Sequence, residues 1–147
     1  MITAAQQSIA RQRDALGIFL HAPLTELAST CAQVWPDIDA LEAALRAGLV
    51  TLPYCDHLFV MNNEGVQITA QIGASGEDGQ YIGLDRSQRP YMKDLLMSSD
   101  FVLTEAYISE HKKRPSITAM QRVKLDGISV ALLSAHFDLR ELPLTAP

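Results

Sequence analysis

The chain has 147 residues, 48% of them apolar, which suffices for one domain with its own core, since about 150 residues bury roughly 68–70% of their unfolded surface. A formal net charge of −5 argues against nucleic acid as a partner, because phosphate binding draws its affinity from clustered Lys and Arg. Cys31 and Cys55 lack metal-ligand spacing and read as small buried apolar residues, and no apolar run reaches the roughly 18–20 residues that span a bilayer.

Over residues 2–34, Ile2, Ala5, Ile9, Leu16, Leu20, Leu24, Leu27, Cys31 and Val34 recur at the spacing of one helical face. Pro23 lacks an amide donor and crowds the preceding turn, so the helix is predicted to kink or break near 21–23. The polar sequences Gln6-Gln7-Ser8 and Arg11-Gln12-Arg13-Asp14 are left to face water or a partner. Such a helix can serve as a dimer contact or pack along its own domain. Asp37 then opens a second helix, carried by Ile38, Leu41, Ala44, Leu45 and Leu49 and punctuated by Pro36 and Gly48.

After Pro53 the texture changes to short apolar alternations between turn residues. Strands are predicted over 57–61 and 66–72, joined by Asn62-Asn63-Glu64-Gly65 as a hairpin. A flexible loop follows over 73–83. Its glycines have neither the Gly-Lys-Ser/Thr ending nor the GxGxxG pattern of a phosphate cradle. Residues 89–97 read as a short helix with Pro90 in its first turn. Three further strands are expected over 102–109, 116–123 and 128–137, with Lys124-Leu125-Asp126-Gly127 as the last turn and His111-Lys112-Lys113-Arg114 as a solvated hairpin tip. The sum is an α+β fold of the PAS-like kind: N-terminal helices over 1–52 and a five-stranded antiparallel sheet with its pocket over 53–140, one domain in all.

The densest chemistry lies between 85 and 118, where Asp85-Arg86-Ser87-Gln88-Arg89-Pro90-Tyr91 is followed by Glu105-Ala106-Tyr107-Ile108-Ser109 and Arg114-Pro115-Ser116-Ile117-Thr118. An arginine fork can grip a carboxylate through two charge-assisted hydrogen bonds, and tyrosines close apolar area over a ligand while offering a hydroxyl. Alternation sets Tyr107 with Ser109 on one strand face, and Ser134 with His136 on another. The order of these segments resembles the Cache domains, PAS-like sensors of bacterial chemoreceptors and histidine kinases.

That resemblance implies a ligand site in which Arg89 and Tyr91 open the helix over the pocket and Tyr107 lies on the sheet beneath it. Ser109, Thr118 and His136 complete the expected set. Members that bind free amino acids use an Arg, an aromatic pair and two Asp residues. Here Met92 replaces the second aromatic, Ser109 stands where the first Asp would fall, and His136 holds the place of the other. A ligand ammonium would lack its counter-charges, so the resemblance with these departures implies a small mono- or dicarboxylate. His136 would add a second donor or a pH-dependent charge; the alternative is an imidazole bonded to a neighbouring carbonyl.

Catalysis is not expected. In Cys55-Asp56-His57 an extended backbone would set Cys55 and His57 on one face, yet no oxyanion loop, GxSxG, HExxH or carboxylate pair accompanies them. No cofactor or metal is implied, and no histidine among His21, His57, His111 and His136 is singled out as a haem or zinc ligand. The expected partners are a small-molecule ligand, a second copy through the N-terminal helix and a separate signalling protein. The Met1 start and the tail over 143–147 favour a free-standing cytoplasmic chain, the alternative being the periplasmic ectodomain of a membrane receptor. The competing reading of the whole is a structural dimerisation or adaptor module with a closed pocket.

Overall fold

Thr3 caps the first helix reciprocally: its hydroxyl accepts from the Gln6 amide at 3.1 Å, while the Gln6 side chain accepts from the Thr3 amide at 2.8 Å. From there α1 (Ala4–Val34) runs as one helix through Pro23, against the expected break. Leu20 and Leu24, on either side of the proline, are fully buried. Their burial, at about 1.5–3 kcal/mol per side chain, outweighs one missing backbone bond. Asp37 caps α2 (Ile38–Leu49) as expected, accepting from the Ala40 amide at 3.1 Å.

The computed structural model describes residues 3–89, 92, 100–104, 106–108 and 113–142. The helix expected over 89–97 therefore falls mostly outside the described residues, as do His111 and Lys112 of the basic run.

Seven strands, not five, form one antiparallel sheet among the described residues. They are β1 (His57–Asn62), β2 (Gln71–Gly73), β3 (Gly76–Asp78), β4 (Phe101–Leu103), β5 (Tyr107–Ile108), β6 (Pro115–Leu125) and β7 (Ile128–Asp138). The order across the sheet is β3-β2-β1-β7-β6-β4, with β5 also on β6. Two differences from the predicted strands have local causes. The loop over 73–83 contains β3 because the chain reverses at once, pairing Gly73 with Gly76. The strand expected over 102–109 is divided at Thr104, where side chains take over the ladder: the Thr118 amide donates to the Thr104 hydroxyl at 3.1 Å, and Arg13 of α1 claims the Leu103 and Thr104 carbonyls.

The strand expected over 66–72 is likewise shortened to Gln71–Gly73. Before it, the Val60 amide donates to the Thr69 hydroxyl and the Ala70 amide to Glu42 of α2. The last hairpin is as predicted, turning at Asp126 and Gly127 with φ of 53° and 80°, the left-handed pair such a two-residue turn requires.

Both faces of the sheet are covered. On one, α1 and α2 bury Leu20, Leu24, Leu41 and Leu45 against Leu58, Val60, Ile117, Leu133 and Phe137. On the other, Phe59 and Met61 of β1, Met120 of β6 and Leu132 of β7 cluster with Met92. Beside this second cluster stand the polar residues of interest.

Candidate ligand site

Register brings the polar groups together. His57 and Thr118 both stand opposite His136, on β1 and β6 respectively, so β7 carries His136 in the middle of a three-strand row. Its Nδ1 lies 3.1 Å from the Thr118 hydroxyl and 3.5 Å from that of Tyr107, and its Nε2 lies 2.8 Å from the Ser134 hydroxyl. Tyr107 and Thr118 share a hydrogen bond of their own. The ring thus meets three hydroxyls. Hydroxyls both donate and accept, so the cluster suits either tautomer of the imidazole.

His136 is also the middle of an aromatic stack. His57 lies parallel to it at 4.5 Å and 7°, and Phe59 at 4.9 Å and 26°. The His57 Nδ1 lies 2.7 Å from the Asp56 carboxylate, which places a charge-capable pair at one end of the stack. At the other, the Arg86 guanidinium sits 4.4 Å over the Phe59 ring and its Nε donates to the Gln67 side chain at 2.8 Å. A small cleft of about 20 Å³ opens beside the histidines, lined by Asp56, His57, Arg114, Ser116, His136 and Asp138. It has room for about one water.

Of the six residues expected to bind a ligand, Tyr107, Thr118 and His136 are brought into direct contact. Arg89 is half-buried, its amide donating to the Arg86 carbonyl and its carbonyl accepting from the Met92 amide, each at 3.0 Å. Tyr91 and Ser109 lie outside the described residues. Sequence reasoning missed Arg86, which is only 7% exposed and belongs to the same face. No local signal separates two arginines three apart in one loop. What buries Arg86 is long-range: its amide donates to Gly65, in the turn after β1, which sets the side chain over Phe59. Phe59 and His57 did carry a signal, since alternation along β1 places both on the face of Met61.

Cys55 is corrected in position. It belongs to the helix-side core, whereas His57 stacks with His136 and Phe59 on the opposite face, so the segment leading into β1 does not keep the alternation of an extended strand. Burial pushes the Cys55 thiol up to about 12, offset in part by its contacts with the His136 and His57 carbonyls. A thiol so placed stays protonated and unreactive at neutral pH. Cys31 is similarly buried and pushed up to about 11. Arg114, expected at a solvated tip, reaches back to Asp138 at 3.2 Å.

No protein-family model matches the chain, and no curated protein matches it in sequence. Solved structures do match in fold. An extracellular ligand binding receptor from Desulfohalobium retbaense superimposes with a TM-score of 0.69 at 14% identity, over 88% of this chain and 24% of that one. The ligand-binding domain of the Campylobacter jejuni chemoreceptor Tlp3, in complex with L-norvaline, gives 0.66 at 15% identity over 90% and 59%. That of the Pseudomonas fluorescens chemoreceptor CtaA, in complex with L-valine, gives 0.63 at 22% identity over 88% and 55%. The chain therefore spans less than two thirds of each. It has the α+β fold of these sensor domains, as the resemblance to Cache domains implied, and the neighbours are ligand-binding receptor domains, not enzymes.

Proposed function

We propose that this chain is a single sensor domain that reversibly binds a small organic anion of the mono- or dicarboxylate type and passes its occupancy to a separate signalling protein. The ligand would rest on Tyr107, Thr118 and His136, under the segment that carries Arg89 and Tyr91, with Ser109 at the margin. The observation that carries the anion reading is His136 itself. Where the amino-acid-binding pattern expects a carboxylate, this chain has an imidazole held among three hydroxyls. Such a group donates to an anion, and it offers an ammonium no counter-charge.

An amino acid is the second reading, favoured by the L-norvaline and L-valine complexes of the neighbouring structures. The third, a structural module with a closed pocket, is favoured by Phe59, Met61, Met92, Met120 and Leu132, which fill the adjoining part of the face. Association of two copies through α1 belongs to the first and third readings alike. The Desulfohalobium receptor supports an extracytoplasmic setting over the cytoplasmic one.

Thermal melting with acetate, propionate, lactate, succinate, malate, L-valine and L-isoleucine separates the three. A ligand at 100 times its dissociation constant adds about 2.7 kcal/mol. The expected outcome is stabilisation by one or more carboxylates, lost in Arg89→Ala and His136→Phe. Stabilisation by the amino acids alone would replace the anion reading, and silence across the panel would leave the structural one.

A further inference from the structure

The contacts that leave the His136 cluster do not end in the sheet. Thr118, whose hydroxyl meets Tyr107 and His136, is bonded through its backbone to Thr104: the Thr118 amide donates to the Thr104 hydroxyl at 3.1 Å, and the Thr104 amide donates to the Thr118 carbonyl at 2.9 Å. Thr104 is buried. Its own carbonyl accepts from the Nε of Arg13 at 2.9 Å, while Nη2 of the same guanidinium donates to the Leu103 carbonyl at 2.6 Å. Two consecutive carbonyls at the end of β4 are thus held by one planar fork from α1.

Arg13 also stands at a particular point on that helix. Gln12 is the first buried position of α1, and residues 3–11 are exposed or half-buried. The guanidinium is therefore the anchor just where the helix leaves the body of the protein. A bidentate charge-assisted grip tolerates little displacement, because hydrogen bonds weaken steeply with distance and angle. If Thr104 moves, either α1 follows or the grip opens.

We propose that Arg13 couples the Tyr107–Thr118–His136 face to the N-terminal turns of α1, as a positioning residue through which the state of the face reaches the free end of the helix. What shifts the face depends on the binding function proposed above; the mechanical link does not. A ligand that favours one arrangement of Thr118 would bias α1 through differential affinity alone.

Hydrogen exchange of the full chain without any ligand tests the link by itself. Arg13→Gln is expected to speed exchange of the amides at 104–108 by about fivefold, leaving β1 and β7 unchanged, as loss of one charged hydrogen-bond set permits. Thr118→Val, which keeps the shape and removes the hydroxyl, is expected to do the same to residues 8–16 of α1. Arg13→Lys, with charge but no fork, should fall between. Arg11→Gln, which removes an exposed cation from the same helix and leaves the fork intact, should change nothing at 104–108. Should Arg13→Gln loosen the whole sheet, the Arg13→Lys and Thr118→Val pair decides in its place. Unchanged exchange over residues 8–16 in Thr118→Val, with Arg13→Gln affecting only the residues its fork touches, would overturn the proposal. Because no ligand enters the measurement, that result is separable from failure of the binding panel.

Discussion

Asp138 ends β7 with a carboxylate that is 4% exposed yet ionised. Burial alone would raise its pKa. The Arg140 amide and side chain and the Arg114 guanidinium together outweigh that and hold it below the ordinary carboxylate value. A carboxyl whose folded value is depressed contributes stability above its unfolded value, near 3.9, and that contribution is lost as pH falls through the folded one. Both arginine side chains are about half exposed, so solvent screens the pairing. Asp138→Asn is accordingly expected to lower stability at pH 7 by about 1 kcal/mol and to cost less at pH 2, toward the depressed folded value through which the contribution fades. Urea unfolding at the two pH values checks this, and an equal loss at both would show that the charge is not what matters.

The two helices meet at a point set by one glycine. A Cβ built on Gly48 of α2 would lie 2.5 and 2.7 Å from the two terminal methyls of Leu27 on α1, which is itself buried. Alanine raises helix propensity by about 1 kcal/mol over glycine, whereas overpacking a filled contact costs about 1–3 kcal/mol. Gly48→Ala is therefore expected to destabilise the protein by about 1 kcal/mol in chemical unfolding. In a Leu27→Ala background the same change should stabilise instead, because the clash is gone and the propensity gain remains. Additive effects would mean that the helices are not in contact there. The division of the third predicted strand into β4 and β5 is a similar case of helix acting on sheet, since Arg13 takes the carbonyls at the end of β4.

With helices on one face and the Phe59–Met120 cluster on the other, the sheet leaves α1 as the exposed flank of the protein. Ile18 and Phe19 stand 81% and 67% exposed there, adjacent on the outward side of a helix whose inward stripe is filled. Large apolar groups paired in this way favour association through that surface. Sedimentation equilibrium is expected to give a dimer at micromolar concentration that Phe19→Glu dissociates without loss of helix content. A monomer for the parent chain at all concentrations would remove the dimer from the proposed function, and the Arg13 link would then end on a helix that acts alone.

Helix period, caps and turns were legible because they are local: Asp37 before an apolar stripe and Asp126-Gly127 between two alternating runs act through neighbours within a few residues. The antiparallel class and three of the proposed site residues, Tyr107, Thr118 and His136, followed from strand alternation and the family-like order of segments. Tertiary packing decided the rest. It kept α1 whole across Pro23, divided one expected strand and shortened another by diverting backbone groups to Thr69, Glu42 and Arg13, put Cys55 and His57 on opposite faces, and buried Arg86 over Phe59. Each of these depends on a partner many residues away, brought near only once the sheet is closed on both sides, and no spacing along the chain encodes that proximity.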